Sequence, residues 1–274
     1  MTRIPQHFLR HSGISSASFP GVESFGAEAV SACANLTNLV LSESLTLVEG
    51  NAFRENAALH TVRPFFPAAL KNVWSGAFNG CTALGGDAVM DGVENLETNA
   101  FWGVAFTSLS LASCTNIQYR ALYSAPLTNV VFGAGALHFH GGVDRQFYSC
   151  APGCRFWFPG KAPVFPPTRE IGGVDVHAIC DHGIFGNSAA GSTKFPRLYG
   201  RWMKDRKGWE KILADVGYPL AEVRDELVVP AVEQGQRVKG AFKWVYSVDK
   251  PVIETMWGWL IDYGPSGFTT LVVR

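Results

Sequence analysis

The stretch VEGNAFRENAALHTV, residues 48–62, contains the pattern that decides the fold, because the same pattern recurs along more than half of the chain. At its centre is a dyad of a small and a bulky residue, and similar dyads follow at steps of 22, 23, 25, 23, 21 and 25 residues. The seven dyads are His7-Phe8, Ala29-Val30, Ala52-Phe53, Ala77-Phe78, Ala100-Phe101, Ala121-Leu122 and Gln146-Phe147. The first and the last lack the small member. Self-similarity at a period of roughly 20–50 residues is typical of a repeat protein.

Two more apolar signals accompany the dyads and predict the two walls of a coil. An apolar residue lies four positions before the alanine in five repeats. These residues are Phe25, Val48, Val73, Leu96 and Ile117. After the dyad comes a short alternating run, such as Leu36, Leu39 and Leu41, which is typical of a strand with one buried face. We expect the dyad on the wall opposite that strand, and a core shared between stacked coils.

The fourth repeat is the least regular, and the repeats end near residue 160. Its strand, from Leu84 to Met90, contains Gly85 and Gly86 and is expected to be weak, because glycine lowers strand stability. Closely spaced prolines from Pro159 onward exclude a helix or a central strand there. We therefore predict a solenoid of about seven coils over residues 1–160, ending at a proline-rich connection.

The repeats resemble the BspA-like leucine-rich repeats of bacterial and protist surface proteins, which read approximately I-x-x-x-A-F-x-x-C-x-x-L-x-x-I-x-L/I-P. The segments that carry the resemblance are VESFGAEAVSACANLTNLVL, VEGNAFRENAALHTV, VWSGAFNGCTAL and IQYRALYSAPLTNVVF. They depart from the motif in the proline after the strand, which is present only as Pro20, Pro64 and Pro159. The resemblance implies an α/β repeat, a right-handed leucine-rich-repeat solenoid with short parallel strands. It also implies adhesion or recognition at the cell surface, with no catalytic residues.

Binding residues are expected among the outward side chains of the alternating runs, because stacked strands present a continuous surface. Arginine and tryptophan are frequent anchors of interfaces, so Arg63 and Trp157 are the leading candidates. The other candidate residues are Asn38, Thr61, Ser110, Asn129 and Arg155. A protein or a glycan is the expected ligand.

The cysteines are read first as core residues. Cys33 and Cys81 lie three residues after their dyads, and Cys150 has the same place, which fits a ladder of small buried side chains. Cys150 and Cys154 also form a C-x3-C pair, so a disulfide or half of a metal site is an alternative.

A further hypothesis for the function is a metal-dependent enzyme that uses residues 177–182. His177, Cys180, Asp181 and His182 have side chains that bind zinc, and a cysteine beside a histidine is a possible nucleophile and base. A loop with polar residues is the alternative interpretation. The sequence contains no H-E-x-x-H, G-x-S-x-G or phosphate-binding glycine motif, and no cofactor is predicted.

The last third of the chain is predicted to contain a helix and a sheet. RLYGRWMKDRKGWEKILADVG reads as an amphipathic helix within a connecting segment, 161–220, and is expected to cap the solenoid. From Glu226 onward, alternating runs rich in aromatic residues predict a small β-rich module over 221–274. A structural or scaffold protein that assembles through this sheet is therefore a second functional hypothesis.

Composition narrows the function classes further. Lys+Arg and Asp+Glu are equal at 23 each, so the chain has no global field for a polyanion, and nucleic acid is not the expected partner. No run of 18 apolar residues predicts a membrane helix. Residues 1–19 lack the basic and apolar parts of a secretory signal peptide, yet an extracellular or surface location remains the prediction from the resemblance.

Overall fold

The computed structural model describes residues 2–140, 145–151, 154–166, 169–171, 174–176, 184, 197–200, 205–215, 231–233, 236–238, 242–246 and 253–254. The strands up to residue 166 are β1 (Arg3–Ile4), β2 (Ser16–Ser18), β3 (Ser24–Phe25), β4 (Asn38–Val40), β5 (Leu47–Val48), β6 (Thr61–Arg63), β7 (Asn72–Val73), β8 (Gly85–Val89), β9 (Asn95–Leu96), β10 (Ala105–Leu111), β11 (Asn116–Ile117), β12 (Asn129–Phe132), β13 (His138–Phe139) and β14 (Arg155–Phe158). The later elements are β15 (Arg169–Ile171), β16 (Val174–Val176), β17 (Arg197–Gly200), α1 (Arg206–Asp215), β18 (Ala231–Glu233), β19 (Gln236–Val238), β20 (Phe242–Tyr246) and β21 (Ile253–Glu254).

The two-residue strands form one wall of a β-solenoid, here called the short-strand wall. Strands β1, β3, β5, β7, β9, β11 and β13 are parallel neighbours in that order. Their second residues are the apolar positions that precede each dyad, and Val48 pairs in register with Val73. Both side chains are fully buried. The prediction of an inward apolar ladder on this wall is confirmed.

The alternating runs form the opposite wall, here called the long-strand wall, which consists of two sheets. Strands β2, β4 and β6 make a three-stranded parallel sheet. Strands β8, β10, β12, β14 and β17 are parallel neighbours in a seven-stranded sheet, to which β20 and β21 add antiparallel. The predicted alternation is confirmed in β12, where Val130 and Phe132 are buried and their neighbours are partly exposed.

Each dyad lies in a five-residue turn after the short-strand wall, as its second and third residues. In the turn 51–55, the first and fifth residues, Asn51 and Glu55, have positive φ angles of 57° and 61°. The N–H groups of Asn51, Phe53 and Glu55 donate to the carbonyls of residues 75, 77 and 79 in the next turn, at 2.9, 2.8 and 2.7 Å. The same bonding recurs along the array. Residues 2–140 contain no helix, so this part of the chain is a β-solenoid and not the expected α/β repeat.

The turns also correct the position of the first dyad. Positive φ angles of 58° at both His7 and His11 mark the ends of the first turn. Leu9 donates its N–H to Ala29 at 2.7 Å, as Val30 does to Ala52. The first dyad is therefore Phe8-Leu9, and the predicted pair His7-Phe8 is wrong by one residue. Phe8 occupies the position of the small residue and is 48% exposed.

Phenylalanine rings fill the space between the walls. Phe53, Phe78 and Phe101 are fully buried and follow one another in the array. Their centroids are 5.0 Å apart for the first pair and 5.1 Å for the second, with interplanar angles of 13° and 3°. The three rings thus form a continuous stack that runs from coil to coil along the solenoid.

The long-strand wall divides between the third and fourth coils, where Phe66 enters the core. Pro64 follows β6 directly and has no N–H to donate to a neighbouring strand. Phe66 is 5% exposed, and its ring lies 5.3 Å from Phe78, 5.4 Å from Phe101 and 6.2 Å from Phe106. The ring takes the place of strand pairing between β6 and β8.

The fourth coil forms a longer strand than the glycines suggested. Strand β8 has five residues and pairs with β10. A Cβ on Gly85 would lie 2.8 Å from the carbonyl oxygen of Ala105, so the glycine permits the close approach of the two strands. The register between β8 and β10 shifts between Phe106 and Ser108, next to Gly86, so the fourth coil is irregular as expected, while the weakness of its strand stays a prediction.

Both walls continue past the boundary expected near residue 160. Val164 bridges to His138 of β13, and Phe147 donates its N–H to Ile184 at 2.8 Å. Strand β17 pairs with β14 in parallel register. Parts of residues 164–200 therefore add to the short-strand wall, the turns and the long-strand wall in the manner of a further coil.

Helix α1 begins later than the sequence predicted, because residues 197–200 are a strand. Its N-terminus is capped by Asp205, whose carboxylate accepts from the N–H groups of Gly208 and Ala162 at 3.1 Å each. Trp209 is fully buried, with its ring 6.0 Å from that of Phe158 in β14. The helix is thus joined to the solenoid core, while its role as a cap stays a prediction. Trp202 and Val216 lie outside the described residues.

The C-terminal strands are partly described. Strands β18 and β19 form an antiparallel pair, as do β15 and β16. Strand β20 pairs with β17, so at least this part of the C-terminal segment is continuous with the seven-stranded sheet. A separate β-rich module over 221–274 stays a prediction.

Replacing Phe78 by alanine should destabilise the protein strongly, because the ring is fully buried between two others. Loss of a buried phenylalanine costs about 3–5 kcal/mol. The matched change Phe8→Ala removes a ring that is 48% exposed and should cost about 1 kcal/mol or less. Urea unfolding followed by circular dichroism measures both. Equal losses in the two variants would contradict the described core.

Candidate functional site

The outward side chains of the seven-stranded sheet form two parallel rows, here called the strand-layer face. Neighbouring strands lie about 4.8 Å apart, so each row advances by one side chain per coil. The first row is Asp87, Ser108, Asn129 and Arg155. The second row is Val89, Ser110, Val131 and Trp157. One row is polar, and the other is largely apolar.

The structure brings together four of the seven predicted binding residues on this face. Asn129 and Arg155 are partners in register, and Ser110 and Trp157 both face Val131, one from each side. Arg155 is exposed, and Trp157 is partly exposed. A rigid sheet thus holds a cation and an indole side by side, a combination common at protein interfaces.

The other three predicted residues lie on the separate three-stranded sheet. Asn38 pairs with Thr61 there, and Val40 pairs with Arg63. Val40 is 43% exposed and Arg63 is exposed. The predicted surface is therefore divided in two by the phenylalanine insertion, and no single sheet carries both leading candidates, Arg63 and Trp157.

Two aspartates accept hydrogen bonds from the serines of the strand-layer face. Neither aspartate was among the residues predicted from the sequence. Asp87 accepts from the hydroxyl of Ser108 at 2.7 Å. Asp91 accepts from Ser110 at 2.5 Å and from the N–H of Ala112 at 3.1 Å. Ser110 is therefore engaged between coils.

An asparagine ladder runs along the outside of the short-strand wall. Asn95 donates its amide to Asn72 at 2.8 Å, and Asn116 donates to Asn95 at 2.7 Å. A ring nitrogen of His140 lies 2.9 Å from the amide oxygen of Asn116. These amides bond each other from coil to coil, so this wall is held together by its polar surface.

A corresponding ladder explains the cysteines. The thiol of Cys33 donates to the carbonyl of Leu9 at 3.0 Å, and that of Cys81 donates to Phe53 at 3.1 Å. In the coil between them, Asn56 donates to Val30 at 2.7 Å. All three side chains are fully buried. The prediction of a ladder of small buried residues is confirmed for Cys33 and Cys81.

Cys150 and Cys154 are free thiols and not a disulfide. Both are buried. Burial is the larger cause of the raised pKa of the Cys154 thiol, and the contact with Cys150 raises that pKa further. Among the residues that the structure describes, no group of three or more His, Cys, Asp or Glu side chains is placed to hold a metal. The segment with His177, Cys180, Asp181 and His182 lies outside those residues.

A cluster of arginine and aromatic side chains lies on the turns of the later coils, and the sequence analysis missed it. We call it the Arg–aromatic cluster. Its members are Trp102, Tyr119, Arg120, Tyr123, Arg145 and Tyr148. All six are partly exposed. Arginine recurs directly before the dyad and tyrosine directly after it in two successive repeats, a sequence signal that could have revealed the cluster.

A comparison with protein families agrees with the repeat architecture. Residues 2–137 match the BspA-type leucine-rich repeat region, in six copies. A crystal structure of a leucine-rich cell surface protein from Faecalibacterium prausnitzii A2-165 is similar with 16% sequence identity and a TM-score of 0.39. That similarity covers 60% of each chain, less than two thirds of the other protein's length. No curated protein matches the chain. In the described part of the chain, no helix is long and apolar enough to span a bilayer.

The buried thiol of Cys81 should make stability fall at alkaline pH. Burial raises the pKa of Cys81 to about 12, whereas the pKa of a cysteine in the unfolded chain is about 8.5. The stabilising contribution is therefore complete below about pH 8.5 and is lost as the pH rises toward 12. Urea unfolding at pH 7, 9, 10 and 11 should show a steeper loss for the wild type than for Cys81→Ala. Parallel profiles for the two proteins would refute this assignment.

Proposed function

Over residues 2–137 this chain belongs to the BspA-type leucine-rich repeat family, and from this premise we propose that it is a non-catalytic recognition protein displayed at the cell surface. Its ligand is a protein or a glycan. The observation that carries the proposal is the strand-layer face, a rigid array with one outward side chain per row and coil.

Exposed apolar residues on that face support ligand binding. Val89 is 54% exposed in a strand whose inward neighbour, Ala88, is buried. In its row, Val131 is followed in register by the partly exposed Trp157. Apolar side chains grouped on a surface and flanked by polar ones mark interaction sites. The polar row beside them supplies hydrogen-bonding groups to orient a ligand.

The ordering of the face supports affinity. The outward side chains stand on a paired sheet whose inner side packs against the phenylalanine core, so little backbone freedom remains to be lost on binding. Asp87 and Asp91 hold two neighbouring serines in fixed positions. A preformed surface of this kind suits an extended or flat ligand.

The test is binding of the full chain to an immobilised panel of extracellular matrix proteins and to a glycan array. At least one partner should be captured reproducibly, and Trp157→Ala and Arg155→Ala should each weaken that binding about tenfold or more. Trp74→Ala is the matched control, because Trp74 is 40% exposed and follows the short-strand wall. Failure to bind any member of either panel, or equal losses for Trp74 and Trp157, would count against the proposal.

Arg63→Ala determines the extent of the binding face. A ligand that spans both sheets of the long-strand wall should lose affinity in this variant as well as in Arg155→Ala. A ligand confined to the seven-stranded sheet should respond only to Arg155→Ala. Antibody labelling of intact cells, with permeabilised cells as the reference, tests the surface location, and labelling only after permeabilisation would refute it.

A further inference from the structure

We propose that the Arg–aromatic cluster is a second binding site, which takes a carboxylate from an aspartate- or glutamate-bearing segment of a protein partner. The cluster lies on the turns, whereas the proposed function uses the strand layer. The two sites therefore involve different residues and can be tested separately.

Aromatic rings hold the two guanidinium groups of the cluster. The Arg120 Cζ lies 4.7 Å from the ring centroid of Tyr119, 5.2 Å from Tyr123 and 5.6 Å from Trp102. The Arg145 Cζ lies 5.1 Å from the ring of Tyr148. Cation–π contacts at these distances orient a guanidinium while leaving its N–H edge able to bind a planar carboxylate with two hydrogen bonds.

Neither guanidinium has an acidic partner among the described residues. The Nε–H groups of Arg120 and Arg145 are buried and donate to no acceptor in that part of the chain. The turn arginines of earlier coils differ, because Arg10 pairs with Glu28 at 3.1 Å and Arg54 pairs with Glu55. The charge of each guanidinium therefore has no described acidic group to balance it, and an external carboxylate would supply that charge partner.

The backbone at these positions does not favour arginine. Arg120 and Arg145 have φ angles of 52° and 66°, the left-handed conformation of the first turn residue. The equivalent residues of the three preceding coils are Asn51, Gly76 and Asn99, the types that adopt this conformation at least cost. His7 and Glu28 have the same conformation in the first two coils, so the position accepts other residue types, but turn geometry gives no reason for arginine at either place.

The arrangement of the rings favours an acidic peptide over a glycan. Tyr123 and Tyr148 are stacked at 5.1 Å with an interplanar angle of 20°, and Trp102 lies against Tyr123 at 5.3 Å. Tyr123 and Tyr148 stack on each other and are also covered by Arg120 and Arg145, so these ring faces are occupied and not open to a stacking sugar. A sulfated polymer is also disfavoured, since the cluster has only two cations and the whole chain has equal numbers of acidic and basic residues.

The experiment uses the full chain and three probes: a fluorescent peptide of four Gly-Glu repeats, its Gly-Gln counterpart, and a heparin hexasaccharide. Fluorescence anisotropy should show binding of the glutamate peptide, with the glutamine peptide about tenfold weaker or more. Arg120→Asn and Arg145→Asn should each weaken binding about threefold to tenfold. Their melting temperatures should not fall, because asparagine suits the turn, and this outcome separates lost binding from misfolding.

Two controls complete the design. Arg54→Gln changes a turn arginine that already has an acidic partner and should leave peptide binding unchanged. Trp157→Ala should also leave it unchanged, which separates this site from the strand-layer face. Equal binding of both peptides, insensitivity to Arg120→Asn and Arg145→Asn, an equal effect of Arg54→Gln, or tighter binding of the hexasaccharide would each overturn the proposal.

Discussion

The structure depends on the hydrogen bonds that join each five-residue turn to the next. Three alternate N–H groups of one turn donate to three carbonyls of its neighbour, and the left-handed residues at the two ends keep these groups aimed along the solenoid. The bonds fix the spacing of successive coils near the distance between paired strands. At that spacing, equivalent side chains meet their equivalents, and the phenylalanine stack, the asparagine ladder and the thiol-to-carbonyl contacts all follow.

The inward half of this architecture was predictable from sequence because burial imposes a pattern. The apolar residues before each dyad and the alternating residues after it were assigned to two walls, and Val48 and Val130 lie inside as expected. The turn register was not recovered in the first coil, where a bulky residue stands in the small position. The left-handed positions had a sequence signal of their own, since asparagine or glycine precedes the dyad in three successive repeats.

The departures from regularity were harder to predict because they depend on contacts between coils. Nothing local to Phe66 indicates that its ring enters the core against three other phenylalanines and separates two sheets. Gly85 appeared to weaken a strand, yet it permits the approach of Ala105. The coil after residue 160 was missed because its parts are far apart in sequence, with Val164, Ile184 and residues 197–200 completing different portions of one turn of the solenoid.

In the candidate site, too, the pattern within one repeat was predictable and the contacts between repeats were not. Alternation alone located Asn129, Arg155 and Trp157 on an outer face, but the aspartates that engage the serines became evident only once strands were placed in register. The Arg–aromatic cluster was missed because its members come from consecutive repeats and meet only when those repeats are stacked. Sequence reasoning along one repeat therefore finds a surface, whereas reasoning across repeats is needed to find a cluster.

The stacked turns also bear on how such an array changes length. A coil that donates three bonds to one neighbour and accepts three from the other is an exchangeable unit, so duplication or loss of a whole coil re-forms the same contacts at the new junction. Phe66 is the exception, because its ring reaches Phe78, Phe101 and Phe106 and ties the third coil to the two that follow. Growth and shortening by whole repeats are therefore least disruptive outside the third to fifth coils, which behave as one indivisible block.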